Sequence, residues 1–389
     1  MDIQITPTPL SGTITPPPSK SQSHRLVIAA ALSGEQSVLH HLAESQDITA
    51  TRRCMKLLLD PAVDEPLLDC GESGSTLRFL LPIALVLRGG GRFTGRGRLM
   101  ERPLGPYEAL FQAQGVELTR EGQVLTAAGN LSPGGYPLPG NVSSQFVTGL
   151  LFALPLLWED STIQLTSPLE SEGYVEMTLE VLRAFRVQAE WSSDRRSLLI
   201  PGNQRYTPAQ VTVESDWSQA AFWYAANFLN GALEIQGLNF ASAQGDRAAA
   251  SLAQSLAQPG TAEVDVSGCP DLLPPLAVMA AGRSGVTHFT HAARLRIKES
   301  DRLATVHALL SALGIPAEEG PDSLTVHGGP PLQGGVVDGA NDHRIVMAAA
   351  AAACAAQGPV TILGAEAVRK SYPTFWEDYA KLGGVFHVL

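Results

Sequence analysis

The sequence has no apolar run long enough to cross a membrane, since every stretch of 18 or more residues contains a charge or a turn signal. Its few cysteines (Cys54, Cys70, Cys269 and Cys354) are scattered and form no CxxC pair, so they predict reduced thiols rather than disulfides. The N-terminus, MDIQITPTPL, lacks the basic and apolar segments of a secretory signal. These absences predict a cytoplasmic protein without a membrane partner.

Basic and aromatic residues are also scarce. Lys and Arg number 27 against 38 Asp and Glu, which gives a formal net charge of −11, and aromatic residues make up 6% of the chain. A nucleic-acid-binding protein normally leans basic and offers aromatic stacking positions, so we expect no nucleic-acid partner. With 44% hydrophobic residues the 389-residue chain can bury a sizeable core, and its length predicts two or three domains.

Two kinds of helix are predicted to alternate along the chain. One kind is rich in Ala and Leu and apolar nearly all round, so it belongs inside the protein. Short polar loops lead into six such helices, at residues 23–25, 74–76, 143–145, 216–218, 270–272 and 342–344. The other kind is amphipathic and runs into a strand-like segment, as at 103–118, 174–191, 301–316 and 372–389. Alternating runs such as Ser161–Leu165 and Val360–Leu363 predict β-strands.

The spacing of the six polar loops repeats itself. Successive loops are separated by roughly 50, 70, 70, 55 and 70 residues, which divides them into two groups of three. This pattern predicts two similar α/β domains that meet near residue 214, although ordinary α/β alternation with coincidental spacing is the alternative. Six helix N-termini that share a direction would attract anions, because their backbone N–H groups and dipoles favour negative charge.

Several loops carry cations and hydroxyls that suit a phosphate or a carboxylate. Lys20, Ser21 and Arg25 fall within six residues at one helix start. The segment 69–78 is rich in Gly and Ser but lacks P-loop spacing, and 95–103 places three arginines after glycines. The segment 296–302 contains five charged residues. Taken alone, each segment is equally well explained as a capped or solvated helix start.

Taken in order, the motifs resemble those of the 5-enolpyruvylshikimate-3-phosphate (EPSP) synthase family. They are SKSxSxR at 19–25, GxSGSxxR at 71–78, RxxERP at 98–103, SSQF at 143–146, PD at 270–271, KESDRL at 298–303, DHR at 342–344 and KSYP at 370–373. The resemblance implies an α/β fold of two similar domains, each built from three βαβαββ repeats with buried helices (an inside-out α/β barrel), and an active site in the interdomain cleft. The implied domains are 19–213 and 1–18 plus 214–389. The chain is shorter than typical members, and we expect the missing residues to come from loops.

The resemblance also implies a reaction. Members of the family transfer the enolpyruvyl group of phosphoenolpyruvate to the 5-hydroxyl of shikimate-3-phosphate through a tetrahedral intermediate, as monomers and without a metal or an organic cofactor. Asp271 is the implied base towards the 5-hydroxyl, and Glu299 and Lys20 are candidates for proton transfer at the methylene carbon. Which carboxylate performs which step stays open.

Substrate contacts follow from the same motifs. Shikimate-3-phosphate is expected to contact Lys20, Ser21, Arg25, Ser143, Ser144, Gln145, Ser171, Tyr174, Asp271 and Lys298. Phosphoenolpyruvate is expected to contact Lys20, Gly74, Arg98, Gln145, Arg302, Arg344 and Lys370.

Three other functions compete with this interpretation. The sister transferase that acts on UDP-N-acetylglucosamine carries a Lys-Asn pair and a reactive loop cysteine, whereas here Lys20 precedes Ser21 and the loop of Arg98 has no cysteine. A nucleic-acid-processing protein built on a related repeat is disfavoured by the charge of −11. A non-catalytic binder is disfavoured because Asp271 and Glu299 occur together with the cations.

Overall fold

The computed structural model describes residues 1–34 and 36–389, which form two compact units. The terminal unit combines Met1–Ser19 with Glu214–Leu389, and the central unit is Lys20–Val213. Among the residues described, no helix combines the length and the apolar character needed to span a lipid bilayer. All four cysteines are buried and free.

The elements are numbered in chain order. The helices are α1 Lys20–Ser33, α2 Gln46–Leu59, α3 Gly74–Arg88, α4 Gly105–Ala113, α5 Ser144–Ala153, α6 Glu172–Ala184, α7 Trp217–Leu229, α8 Ala248–Leu256, α9 Leu273–Gly282, α10 Arg302–Ala312, α11 His343–Ala353 and α12 Phe375–Lys381. The strands are β1 Ile3–Thr6, β2 Ser11–Ile14, β3 Val38–His40, β4 Leu67–Asp69, β5 Gly90–Thr94, β6 Glu117–Glu121, β7 Val124–Ala128, β8 Gly134–Leu138, β9 Ser161–Leu165, β10 Glu190–Trp191, β11 Ser197–Ile200, β12 Gln210–Thr212, β13 Ala232–Ile235, β14 Ala262–Asp265, β15 Gly285–Thr290, β16 Ala317–Glu319, β17 Leu324–Gly328, β18 Gly335–Asp338, β19 Val360–Leu363 and β20 Val385–Val388.

One βαβαββ order of elements recurs in both units. The central unit contains β4-α3-β5-α4-β6-β7 and β8-α5-β9-α6-β10-β11, and the terminal unit contains β14-α9-β15-α10-β16-β17 and β18-α11-β19-α12-β20, which β1 completes. Each of these four repeats forms a four-stranded sheet. Its first two strands are parallel, as β4 and β5 are, because a helix crosses between them. The last two strands add on antiparallel, as β7 and β6 do.

The third repeat of each unit stops after its second helix. In the central unit it consists of α1, β3 and α2, with β12 returning beside β3, and in the terminal unit it consists of β2, α7, β13 and α8. The resulting sheets have two strands each, β12-β3 and β13-β2. In the described ranges these two repeats therefore lack the last pair of strands that the complete repeats have, and the expectation that the chain is shortened in loops stays a prediction.

The buried helices begin at the polar loops that the sequence singles out. Side-chain caps explain these starts, because each accepts a hydrogen bond from a backbone N–H that has no partner within the helix. Ser73 caps α3, Asp216 caps α7 and Asp342 caps α11 in this way. α9, which has no side-chain cap, and α11 are buried along almost their whole length, as their apolar sequences predict.

The amphipathic helices run into strands, as the sequence analysis predicts. α6, α10 and α12 end at Ala184, Ala312 and Lys381, and the strands β10, β16 and β20 follow them. Backbone with positive φ follows each of these helices, at Arg186, Gly314 and Gly383. A left-handed residue ends a helix, and the chain then turns back into a strand.

Candidate functional site

The start of α1 carries the first pair of charged residues in the central unit. Nζ of Lys20 lies 3.1 Å from Oδ2 of Asp47, in the first turn of α2, and both side chains are largely buried. Ser21 follows on the same first turn and is half-buried. The pairing with Asp47 fixes the position of the Lys20 ammonium, and the sequence analysis did not predict it.

Arg25 joins three helices of the central unit. Its guanidinium donates hydrogen bonds to the carbonyl of Ser21 (2.7 Å), to Oγ1 of Thr178 (2.8 Å) and to the carbonyl of Tyr174 (2.9 Å). It also bonds Thr148 Oγ1 on α5 at 3.2 Å. Burial lowers the pKa of Arg25 to about 10, so the side chain stays charged at neutral pH. The hydrogen bonds of Arg25 thus link α1, α5 and α6, the three helices whose starts carry the expected contacts of shikimate-3-phosphate.

Gln145 and Gly74 connect the starts of α5 and α3. The Gln145 amide donates to Oγ of Ser75 (2.9 Å) and accepts from Nη1 of Arg78 (2.7 Å), which fixes its orientation. Gly74 is the first residue of α3, and a Cβ atom placed on it would lie 2.6 Å from Nη1 of Arg102. A side chain at this position would therefore displace the guanidinium of Arg102, which is buried.

The remaining predicted serines and the tyrosine also lie at helix starts. Ser143 caps α5, with its Oγ accepting from the backbone N–H of Gln145, and Ser144 is the first, buried residue of that helix. Ser171 is buried with a φ of 56° just before α6, and Tyr174 lies in the first turn of α6. Hydroxyls at helix starts suit an anionic ligand.

The two arginines of the 98–103 motif have different environments. Arg98, the predicted contact, lies exposed in a turn before Leu99. Arg102, which the sequence analysis did not select, is buried beside Gly74. The sequence signal that could have identified Arg102 is its position directly before Pro103 in the motif.

Asp271 is the centre of the charged cluster in the terminal unit. Its Oδ1 accepts from Arg302 Nη1 at 2.7 Å and lies 3.3 Å from Lys298 Nζ, and its Oδ2 lies 3.0 Å from Arg344 Nη2. Burial lowers the pKa of Lys298, while the negative charge of Asp271 acts in the opposite direction. Three of the predicted cations therefore surround the predicted base.

Arg302 is the most enclosed of these cations. Its Nε donates to Asp342 Oδ2 at 2.8 Å, and its Nη2 donates to Glu299 Oε2 at 2.7 Å. Burial acts to lower the pKa of Arg302, but the carboxylates of Asp342, Glu299 and Asp271 outweigh it and raise that pKa above its ordinary value. Asp342 is fully buried and also caps α11. The sequence analysis named Asp342 only as part of a motif.

Two further residues complete the terminal cluster. Lys370 is buried, and its Nζ donates to the carbonyl of Asn341 at 2.6 Å, next to Asp342. Asp246 is buried and accepts a hydrogen bond from Ser218 Oγ in the first turn of α7. Burial, with the nearby charge of Asp271, raises the pKa of Asp246 to about 6. Asp246 has no counterpart among the predicted site residues.

The predicted residues fall into two groups, one in each unit, which we call the central and the terminal cluster, and the exposed Arg98 belongs to neither. The central cluster comprises Lys20, Ser21, Arg25, Gly74, Ser143, Ser144, Gln145, Ser171 and Tyr174, with Asp47 and Arg102 added. The terminal cluster comprises Asp271, Lys298, Glu299, Arg302, Arg344 and Lys370, with Asp246 and Asp342 added. In the ranges 1–34 and 36–389, no group of three or more His, Cys, Asp and Glu side chains could hold a metal ion. Cations and helix starts suit ligands with several negative charges.

Comparisons with known proteins give a consistent result over the whole chain. Residues 5–379 match the family described as EPSP synthase (3-phosphoshikimate 1-carboxyvinyltransferase). Proteins named 3-phosphoshikimate 1-carboxyvinyltransferase from Clostridium acetobutylicum and Clostridium kluyveri are 41% and 42% identical, and the alignments cover 99% and 98% of this chain and 98% and 97% of theirs. The solved EPSP synthase of Acinetobacter baumannii superposes with a TM-score of 0.81 at 22% identity, covering 99% of both chains. An enolpyruvyl transferase from Streptomyces tendae gives 0.76 at 19% identity, covering 99% of this chain and 98% of that one.

Proposed function

The chain belongs to the EPSP synthase family, and we propose that it transfers the enolpyruvyl group of phosphoenolpyruvate to the 5-hydroxyl of shikimate-3-phosphate with release of phosphate. The observation that carries this proposal is the carboxylate of Asp271 held by Lys298, Arg302 and Arg344 in a chain that matches the family over almost its full length.

The charge of the two substrates accounts for the cations in both clusters. Each substrate carries a phosphate and a carboxylate, about −3 in total near neutral pH, because the second phosphate pKa is near 6. The chain has a net charge of −11, so it can bind such ligands only where cations are concentrated locally. Arg25 and Arg344 are buried cations that provide this concentration.

Asp271 is proposed as the base. In the addition step the oxygen of the 5-hydroxyl bonds to C2 of phosphoenolpyruvate, Asp271 takes the hydroxyl proton, and C3 gains a proton to become a methyl group. In the elimination step C3 loses a proton, the C2–O bond to phosphate breaks, and phosphate leaves. The surrounding cations favour the carboxylate form that this role needs.

Glu299 and Lys20 are proposed for proton transfer at C3. Glu299 is bound to Arg302 at 2.7 Å, and Lys20 lies 3.1 Å from Asp47, so each has a partner that holds its position.

The central cluster is proposed to bind shikimate-3-phosphate. Ser143, Ser144 and Ser171 would donate hydroxyl hydrogen bonds to the phosphate, and Lys20 and Arg25 would supply charge. The remaining contacts expected for this substrate are Ser21, Gln145 and Tyr174, together with Asp271 and Lys298 of the terminal cluster.

Phosphoenolpyruvate is proposed to contact Arg344 and Lys370, as the resemblance implies, along with Lys20, Gly74, Arg98, Gln145 and Arg302. The geometry supports adding Arg102, since its buried guanidinium lies beside Gly74. Arg302 has its donors directed to three carboxylates, so we assign it the positioning of Asp271 more than direct binding.

Phosphate release tests the proposal. Phosphoenolpyruvate is supplied with shikimate-3-phosphate, with UDP-N-acetylglucosamine, or with no acceptor. We expect release with shikimate-3-phosphate alone. Release with the nucleotide sugar alone would overturn the acceptor and keep the chemistry, and no release with either would overturn the reaction.

Solvent deuterium separates the catalytic roles. Because C3 becomes a methyl group in the intermediate, the reaction in D₂O should place deuterium in the methylene group of the product. Glu299→Gln and Lys20→Met are compared with Lys370→Met, a binding variant. A proton-transfer variant should lose deuterium incorporation, whereas Lys370→Met should keep it and require more phosphoenolpyruvate.

We also propose that the protein works as a monomer in the cytoplasm. The support is that both substrates are small diffusible anions and that the described residues include no membrane-spanning helix. Light scattering at micromolar concentration tests the first point, and a mass near the 41.2 kDa of one chain is expected.

A further inference from the structure

The short repeat of the central unit leaves one edge of a β-sheet open. In the complete repeats, the second strand of the parallel pair has an antiparallel neighbour: β7 on β5, β11 on β9, β17 on β15 and β1 on β19. In the short repeat β3 holds the position of β5, and β12 is its one strand neighbour in the described ranges. In the described ranges, no strand lies beside β3 at the position that corresponds to that of β7 beside β5.

The hydrogen-bonding groups on this edge can be assigned. The N–H of Val38 bonds to Ala209 and the carbonyl of His40 accepts from Val213, so both groups point towards β12. Both backbone groups of one strand residue point to the same side, and successive residues alternate. The N–H and C=O of Leu39 therefore point towards the open edge, where they could bond to another strand.

A groove lies beneath the open edge. Its volume is about 700 Å³, and β3, α1 and α2 line it, with Val27, Ala30, Leu39, Leu42, Met55 and Leu59 as its main apolar residues. In the complete repeat, β7 places Leu125 and Ala127 in the buried core. The last turn of α1 from Ala30 is half-exposed, whereas α3 is buried through Leu85. The groove is thus the space that side chains of an added strand would fill.

Cations border this groove. Arg52, Arg53 and Lys56 lie on the exposed side of α2, and Arg53 also contacts Asp69 at 3.2 Å. The equivalent helix of the other short repeat, α8, has the sequence AAASLAQSL without a charged residue. In the part of the chain that the structure describes, both short repeats lack the strand pair, but only α2 carries these cations. The missing strands alone therefore do not explain the basic residues beside the groove.

The occupant can be described from the complete repeats of the same chain. In three of them the position is filled by a hairpin whose outer strand carries acidic residues, namely Glu117 and Glu121 on β6, Glu190 on β10, and Glu318 and Glu319 on β16, whereas the outer strand β20 of the fourth (VFHV) has none. Acidic side chains complement Arg52 and Lys56, and an extended backbone complements Leu39.

We propose that the β3 edge and its groove form a docking site for an extended, acidic segment of another protein, which adds to β3 as an antiparallel strand. Main-chain hydrogen bonds to Leu39 supply affinity, alternate apolar side chains enter the groove, and acidic residues meet Arg52 and Lys56. This site lies outside both substrate clusters and does not depend on the proposed reaction.

A peptide from the chain itself provides the test. The probe is residues 116–129 (VELTREGQVLTAAG), labelled with fluorescein, and fluorescence anisotropy is measured against the full-length protein at low salt. We expect a Kd in the micromolar range, roughly that of small peptide-recognition surfaces. A peptide of the same composition in scrambled order, and one with Gln in place of both glutamates, should bind at least about tenfold more weakly.

Charge reversal locates the site. The double variant Arg52→Glu with Lys56→Glu changes two exposed residues, so the fold should persist. The probe should bind this variant at least about tenfold more weakly. Arg183→Glu, an exposed arginine at the end of α6, is the matched control and should bind the probe as the unchanged protein does. Equal binding by the double variant would overturn the site.

Amide hydrogen exchange distinguishes strand addition from loose contact. Added peptide should slow exchange at the Leu39 amide and leave the Val38 amide, which is already bonded to Ala209, unchanged. The proposal fails if the probe does not bind at 1 mM, if Leu39 is not protected, or if anilinonaphthalene sulfonate binds the groove while the peptide does not. That last result would indicate a small amphipathic ligand instead. Phosphate release is measured alongside, because the two proposals can fail separately.

Discussion

Arg302 donates a 2.7 Å hydrogen bond to Asp271, although the Arg302 side chain is only 1% exposed and the Asp271 side chain is 17% exposed. The partly accessible carboxylate of Asp271 is therefore positioned by a hydrogen bond from a buried cation. Asp342 at the start of α11 holds that cation in turn. The position of the proposed base thus depends on residues that a substrate need not touch.

Replacing Arg302 should affect both stability and turnover. Arg302→Met leaves the buried carboxylate of Asp342 without its cation, so we expect a loss of about 3 kcal/mol in the free energy of unfolding. Because Asp271 loses its anchor, turnover should fall roughly 100-fold or more. Urea unfolding and phosphate release measure the two effects. Arg296→Met, which removes a more exposed arginine paired with Asp301 and Glu319, should lose less than about 1 kcal/mol and keep its turnover.

Removing the carboxylate of Asp271 should separate binding from catalysis. Asp271→Ala should bind shikimate-3-phosphate within about tenfold of the unchanged protein but lose a factor of about 10²–10⁴ in turnover, as expected for a lost general base. Asp271→Asn keeps the size of the side chain among the three cations and is the companion variant. Calorimetric titration and phosphate release give the two quantities. Near-normal turnover in either variant would contradict the role of Asp271.

Adding a methyl group at Gly74 should weaken binding of phosphoenolpyruvate. The new Cβ would lie 2.6 Å from Arg102 Nη1, so the guanidinium has to move. We expect the KM for phosphoenolpyruvate to rise about tenfold in Gly74→Ala, with a smaller change in kcat. Gly105→Ala is the control, because a Cβ there meets no atom of the described residues within 4 Å. An unchanged KM would remove Arg102 from the proposed site.

Asp246 should make stability depend on pH. Burial raises the pKa of Asp246 to about 6 in the folded protein, above the ordinary value of 3.8. Folding therefore favours the protonated carboxyl, and this contribution to stability is present below pH 3.8 and lost as the pH rises through 6. Asp246→Asn, a neutral substitute, should be more stable than the unchanged protein at pH 8, by up to about 3 kcal/mol.

The pH dependence distinguishes this effect from improved packing. The stability difference between Asp246→Asn and the unchanged protein should narrow as the pH is lowered from 8 to 5. Asp64→Asn, which changes an exposed aspartate in the central unit, should show no such trend. If Asp246→Asn were the less stable protein at pH 8, the buried charge would be stabilising and our argument wrong.

Much of the architecture could be predicted because its signals are local. β9 has the predicted bounds Ser161–Leu165, since alternation along a strand is a short-range pattern. The starts of α3 and α11 lie at the predicted polar loops because caps are encoded within a few residues. The fold class, the family and the activity predicted from the combined motifs are confirmed by the family match and by relatives about 40% identical over the full length.

What could not be predicted depends on contacts between distant parts of the chain. Asp47 pairs with Lys20 and Asp342 with Arg302 across 27 and 40 residues, and no local pattern in either segment indicates the pairing. Arg98 and Arg102 are four residues apart in one motif, and only packing shows that Arg102 is the buried one. The individual substrate contacts stay predictions for the same reason.

The position of β1 has a consequence for synthesis on the ribosome. β1 precedes Lys20–Val213 in the chain, yet it pairs with β19 and β20, which follow that segment. The nascent terminal unit must therefore keep this strand unpaired while the whole of Lys20–Val213 is translated, and that segment can fold meanwhile. The sheet that contains β1 can therefore be completed only after β19 and β20 have been translated.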